Sequence, residues 1–174
     1  MGDAPLQSAL VALDLAIQTE KDGREFYMRA AERSSDGGGK VLLISLADDE
    51  LEHLRLLESQ REALATEGQW LPPSKLDEQT APEKAEGVPL FSPERLAENV
   101  SAYTSDLSAL RMAFLIEKDA VAFYTRAAAE TEDRDGKEMY ERLAEMETEH
   151  QRILEEEYNA LAKEFWGKMG FEPF

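Results

Sequence analysis

Cysteine is missing altogether from this 174-residue chain. That absence excludes disulfides, thiolate catalysis, cysteine-ligated zinc and any iron–sulfur or rubredoxin-type iron carried here. Positive charge is scarce too: 19 Lys and Arg stand against 37 Asp and Glu, a formal net charge of -18. Phosphate backbones and anionic lipid surfaces are bound by clustered Lys and Arg, so neither nucleic acid nor a membrane is an expected partner. No apolar run nears the roughly eighteen residues of a spanning helix. The start, Met1-Gly2-Asp3-Ala4-Pro5, lacks the basic and apolar segments of a signal peptide, so a cytoplasmic protein is expected. At roughly 150 residues per domain the length suggests one domain over 1–174, and an apolar fraction of 43% suffices for a core.

What the chain does have is a repeat. Glu20-Lys21-Asp22-Gly23-Arg24-Glu25-Phe26-Tyr27 returns as Glu117-Lys118-Asp119-Ala120-Val121-Ala122-Phe123-Tyr124. Leu46-Ala47-x-x-Glu50-x-x-His53 returns as Leu143-Ala144-x-x-Glu147-x-x-His150. Both matches stand 97 positions apart, with no insertion between them. One ancestral two-helix unit has been duplicated.

The periodicity inside each unit is helical. Heptad rows such as Leu6, Leu13, Glu20, Tyr27 and Leu43, Glu50, Leu57, Leu64 recur in the second copy as Tyr103, Leu110, Glu117, Tyr124 and Tyr140, Glu147, Leu154, Leu161. The spacing predicts helices over 4–33, 40–66, 105–131 and 136–166. Ser34 to Gly39 and Thr131 to Asp135 read as short breaks, and Asp135 with Glu138 as a capping box. Residues 67–104 hold Pro72, Pro73, Pro82, Pro89 and Pro93, which a long helix would not tolerate. They are expected to form a crossover along an all-α four-helix bundle, with a short helix starting at Ser92-Pro93. Residues 167–174 are left as a tail. Its aromatics, with Phe165 and Trp166 before it and Phe171 and Phe174 within it, are expected to pack on the bundle or at a dimer contact.

Glu20, Glu50, Glu117 and Glu147 occupy rows otherwise filled by Leu, Phe, Tyr or Ala. Burying one unpaired carboxylate costs several kcal/mol even after relaxation, and four together also repel. Arg24 is a candidate partner, but its twin is Val121, so the repeat keeps no basic counterion. Two divalent cations balance four carboxylates. The only two histidines, His53 and His150, each follow a Glu by three residues, on the same helix face. A Glu from each of two helices plus Glu-x-x-His from each of the other two is the ligand set of di-iron and di-manganese carboxylate bundles. One isolated Glu-x-x-His is commonplace on a surface helix; two copies in register with both lone glutamates are not. Oxygen and imidazole donors without thiolate suit iron, with manganese or zinc as alternatives. Acidic runs such as Asp48-Asp49 and Glu155-Glu156-Glu157 read as solvated faces.

The Glu-Lys-Asp-x-x-x-Phe-Tyr signature together with the paired Glu-x-x-His resembles the ferritin-like di-iron proteins of the rubrerythrin group. The likeness spans the chain apart from the crossover and the tail. It implies that Glu50 and Glu147 bridge two irons, that Glu20 and Glu117 are terminal ligands, and that His53 and His150 cap one iron each. Tyr27 and Tyr124 match aromatic positions near the cluster, where their hydroxyls can donate to a ligand carboxylate. Rubrerythrins proper carry an extra ligand Glu where this chain has Ala120 (twin Gly23), so a symmetric six-ligand site is expected. Small residues there either let helices approach or leave room for a substrate. The appended rubredoxin iron is also missing, so an external electron donor is needed.

The resemblance implies an oxidoreductase that reduces peroxide or dioxygen with ferrous iron, in a homodimer. Two other functions fit the same ligands. One is a ferroxidase-like protein that handles or delivers iron; the other is a structural module held together by its metals.

Overall fold

The computed structural model describes residues 3–72 and 100–170, with side chains from Pro5 and from Asp106 in the two segments. Four helices make up nearly all of it: α1 (Asp3–Arg33), α2 (Gly37–Glu67), α3 (Val100–Glu130) and α4 (Arg134–Lys168). No strand occurs among the described residues, and the architecture is an all-α four-helix bundle. No helix is long and apolar enough to cross a membrane among the described residues. The short helix expected at Ser92-Pro93, most of the crossover, Phe171 and Phe174 lie outside the described residues.

Several boundaries differ from those the sequence suggested. α2 starts at Gly37 because Asp36 caps it: the Asp36 carboxylate accepts the Gly39 N–H at 2.6 Å, satisfying a donor that the glycines alone would leave unpaired. The cap outweighs the poor helix propensity of three glycines. α4 starts at Arg134 on an Asp133 cap, whose carboxylate accepts from Asp135 N at 3.0 Å and Gly136 N at 3.2 Å, so the cap is not Asp135. α3 already runs from Val100, inside the span assigned to the crossover, since no proline follows Pro93 there. α4 runs on to Lys168, and Trp166 near its end stays 45% exposed instead of packing on the bundle. α2 stops at Gly68, whose φ of 69° suits glycine and lets its N–H reach Leu64 O.

Residue pairings fix the helix directions. Arg61 pairs with Asp14, and Lys21 with Glu58 at 3.3 Å, so α1 and α2 are antiparallel. Tyr27 meets Glu117 while Tyr124 meets Glu20, which makes α1 and α3 antiparallel. His53 faces Glu147 and Asp49 faces His150, so α2 and α4 are antiparallel too. It follows that α2 and α3 run parallel. The end of α2 lies by the start of α4, where Trp70 packs on Tyr140, and the start of α3 lies by the end of α1, where Ser35 donates to Asp106 at 2.9 Å. The two points joined by residues 73–99 therefore sit at opposite ends of the bundle.

The core is split into two apolar layers. One holds Leu13, Leu57, Leu64, Trp70, Tyr124, Met139, Tyr140 and Leu143; the other holds Tyr27, Leu43, Leu46, Leu110, Leu154 and Leu161. Most members of one layer are repeat twins of members of the other. Between them lies a belt of buried polar side chains.

Candidate metal centre

Each helix sends its polar side chain into that belt because the row carrying it is apolar above and below. Glu20 comes from α1, Glu50 and His53 from α2, Glu117 from α3, Glu147 and His150 from α4. All six sequence candidates are brought together, and all are buried: the four carboxylates are 1–3% exposed, His53 1% and His150 6%. Their donor atoms form two overlapping quartets, Glu20, Glu50, His53, Glu147 and Glu50, Glu117, Glu147, His150, each within 4.8 Å. Ligand bonds of about 2.0–2.3 Å around one ion allow donor separations up to about 4.5 Å, so each quartet has the size of one metal site. Glu50 and Glu147 belong to both.

The contacts inside the belt have the character of co-ligands. His53 Nδ1 lies 3.0 Å from Glu147 Oε1, 3.4 Å from Glu20 Oε2 and 3.5 Å from Glu50 Oε2. Yet neither His53 nitrogen nor Glu147 Oε1 has a hydrogen-bond partner among the described residues. Donor atoms crowd together without hydrogen-bond geometry, which is costly for buried polar groups unless a cation sits between them. His150 Nδ1 lies 2.9 Å from Glu147 Oε2 and 3.6 Å from Glu117 Oε1. The two imidazoles stack with centroids 5.5 Å apart. Arg24 does not supply the missing positive charge: its Nε is buried without a partner. The residues present therefore fit a pair of metal ions.

The protonation pattern without metal shows the same frustration. Burial pushes Glu50 well up, and hydrogen bonding to Glu20 adds to it. Burial likewise pushes Glu117 up to about 7, against the opposing hydrogen bond with His150. Burial disfavours charged His53, but the carboxylates of Glu147, Glu20 and Glu50 outweigh it and hold the imidazole well above its ordinary value. For His150 burial is likewise outweighed by Asp49, Glu117 and Glu147, which push it up to about 12. Burial would raise Glu147 also, yet the hydrogen bond with His150 and the nearby His53 imidazole hold it well below the usual carboxylate range. Protons on the histidines thus take the place that cations would take.

Around the six, Tyr27 donates to Glu117 and Tyr124 donates to Glu20, each reaching across to the other hairpin. Burial first, then the facing carboxylate, pushes both phenols upward, so they remain donors. Gly23 lies against Glu50: a Cβ there would meet Glu50 Cδ and Oε1 at 3.7 Å, an ordinary contact. One residue read as solvated surface is exposed as expected and still reaches the site. Asp49 Oδ2 stands 3.5 Å from His150 Nε2, behind the face that points into the centre. Its twin is Met146, so His53 Nε2 has no such neighbour. Glu157, also read as solvated surface, is instead only 6% exposed, and burial raises its pKa. Glu155 and Glu156 are exposed as expected.

Comparison with known proteins agrees with the fold. A family model described as a ferritin-like domain matches residues 8–159. The solved structure of a hypothetical protein from Pyrococcus furiosus is similar over 89% of this chain and 90% of its own, with 26% identity and a TM-score of 0.65. None of the curated proteins matches the sequence.

Proposed function

The chain belongs to the ferritin-like domain family, and from that premise we infer that it is a di-iron oxidoreductase of rubrerythrin-like type acting on peroxide or dioxygen. The observation that carries this reading is the pair of overlapping buried quartets sharing Glu50 and Glu147. Glu50 and Glu147 would be shared by the two ions, with Glu20 and His53 helping to hold one and Glu117 and His150 the other. When bound, an iron pair supplies the single-electron steps by which peroxide or dioxygen is reduced.

The chain's own residues set the conditions for that chemistry. The two apolar layers keep bulk water from the belt, so the carboxylates act in a medium of low dielectric. Tyr27 and Tyr124 hold the terminal carboxylates in place with one hydrogen bond each, and keep their protons because burial disfavours phenolate. Gly23 and Ala120 present no bulky side chain, which leaves room for a small oxidant to approach.

Anaerobic ferrous titration tests the reading. Two ions per chain are expected, followed on peroxide addition by a ligand-to-metal absorption band and by repeated turnover with a supplied reductant. A single stoichiometric oxidation under all donors would instead favour iron handling, and binding without any redox-linked spectrum would leave only a structural role.

A further inference from the structure

Among the described residues, a chain of tyrosine and tryptophan rings leaves the polar belt toward one end of the bundle. Tyr124, which donates to Glu20, stacks on Tyr140 with centroids 6.2 Å apart and planes 26° from parallel. Tyr140 meets Trp70 edge to face at 5.9 Å. Trp70 lies beyond the α2 cap and is held there deliberately. The Gln60 side chain clamps the next residue, accepting from Leu71 N at 2.8 Å and donating to Leu71 O at 3.0 Å. On the other side the indole lies so close to Gly136 that a Cβ there would stand 2.6 Å from it. Trp70 also lines an open groove with Pro5, Phe123, Arg126 and Glu130, at the end of the bundle. The repeat has no equivalent: the twin of Tyr140 is Leu43, and position 167, the twin of Trp70, is glycine.

We propose that Trp70, Tyr140 and Tyr124 form a one-electron path between the groove at the end of the bundle and the buried centre. The partner at the groove is a one-electron carrier, the kind of reductant this cysteine-free chain does not contain. In each passage the carrier loses one electron, the centre gains it, and the three rings end unchanged. Their roles differ. Tyr124 ends the path at the centre, its hydroxyl donating to Glu20. Tyr140 is buried with no partner for its hydroxyl among the described residues, so it has nowhere to put a proton. It serves as the bridge. Trp70 can lose an electron without first losing a proton, and its Nε1 is likewise unpartnered. The path rests on the oxidoreductase reading for its use but not for its existence, so it is testable without metal.

The absence of cysteine permits a clean test. In full-length, metal-free Trp166→Phe protein, Trp70 is the sole tryptophan. Glu130→Cys then places a thiol-linked ruthenium photo-oxidant beside the groove. After a flash with an external quencher, tryptophanyl absorption should decay as tyrosyl absorption grows, at a rate independent of protein concentration. Tyr124→Phe should abolish the tyrosyl signal and leave the tryptophanyl radical long-lived; Tyr158→Phe, in the opposite apolar layer, should change nothing. Tyr140→Leu, which copies the other end of the bundle, should slow the transfer severalfold, with helicity checked in each variant. Gly136→Ala, which displaces the indole, should slow it too. A tyrosyl signal that survives Tyr124→Phe, or a rate indifferent to both Tyr140→Leu and Gly136→Ala, overturns the path. Failure to bind two irons would sink the functional reading and leave this measurement untouched.

Discussion

The two hairpins of this bundle started as copies and have come apart at a few positions. α1–α2 supplies Glu20, Glu50 and His53; α3–α4 supplies Glu117, Glu147 and His150, and the two tyrosines reach across reciprocally. The donors nearest the belt are matched one for one. One step farther out the match fails: Asp49 backs His150 while Met146 is its twin, and Tyr140 stands where Leu43 stands. Charge neutralisation requires every inner donor, so drift there is costly. The surrounding positions only tune what the donors do, and they have been free to differ.

Removing a shared donor should have the largest effect. Glu147→Ala should lose both ions, because Glu147 belongs to both quartets, whereas Glu20→Ala should lose only one; metal per chain after gel filtration tells the two apart. Next comes the one-sided support. Asp49→Asn should weaken one of two stepwise cobalt-binding constants by about 10–100-fold, and Met146→Asp should strengthen the other. Acid should act by a similar mechanism. Glu117, raised to about 7, holds a proton below that pH and must release it to ligate. The protonated histidines must release theirs as well, so affinity should fall on acidification on both sides of that value and about tenfold per pH unit more steeply below it, with proton release seen by calorimetry in two buffers.

Stability offers a smaller contrast, between twin glycines at the starts of α2 and α4. Gly136→Ala drives a methyl group into Trp70 and should cost about 1–3 kcal/mol in urea unfolding. Gly39→Ala meets nothing nearer than Asp36 Oδ2 at 3.4 Å, so its effect should be well below that. Equal losses would mean that Trp70 is not tightly seated.

The belt was legible in sequence because two independent signals coincide there: polar residues in apolar heptad rows, and a repeat that keeps them in register. Asp49 escaped because residues adjacent on a helix point about 100° apart, so Glu50 facing inward sends Asp49 outward. Only the antiparallel pairing of α2 with α4 brings it behind His150. Glu157 was hidden by its acidic neighbours, although it lies in the same row as His150. Trp70 carries no periodic signal, being past the end of a helix. The start of α2 was misplaced because propensity argues against three glycines, while a single capping carboxylate argues for them more strongly.

Each hairpin carries half of a complete ligand set and none of the other half's contents in excess. A peptide of about half this length, pairing with itself about a twofold axis, would assemble the same six donors and the same crossed tyrosines. Joining two copies in one chain then lifts the obligation to be identical. One end is free to acquire a conduit while the other stays insulating, a polarity that no self-paired ancestor could possess.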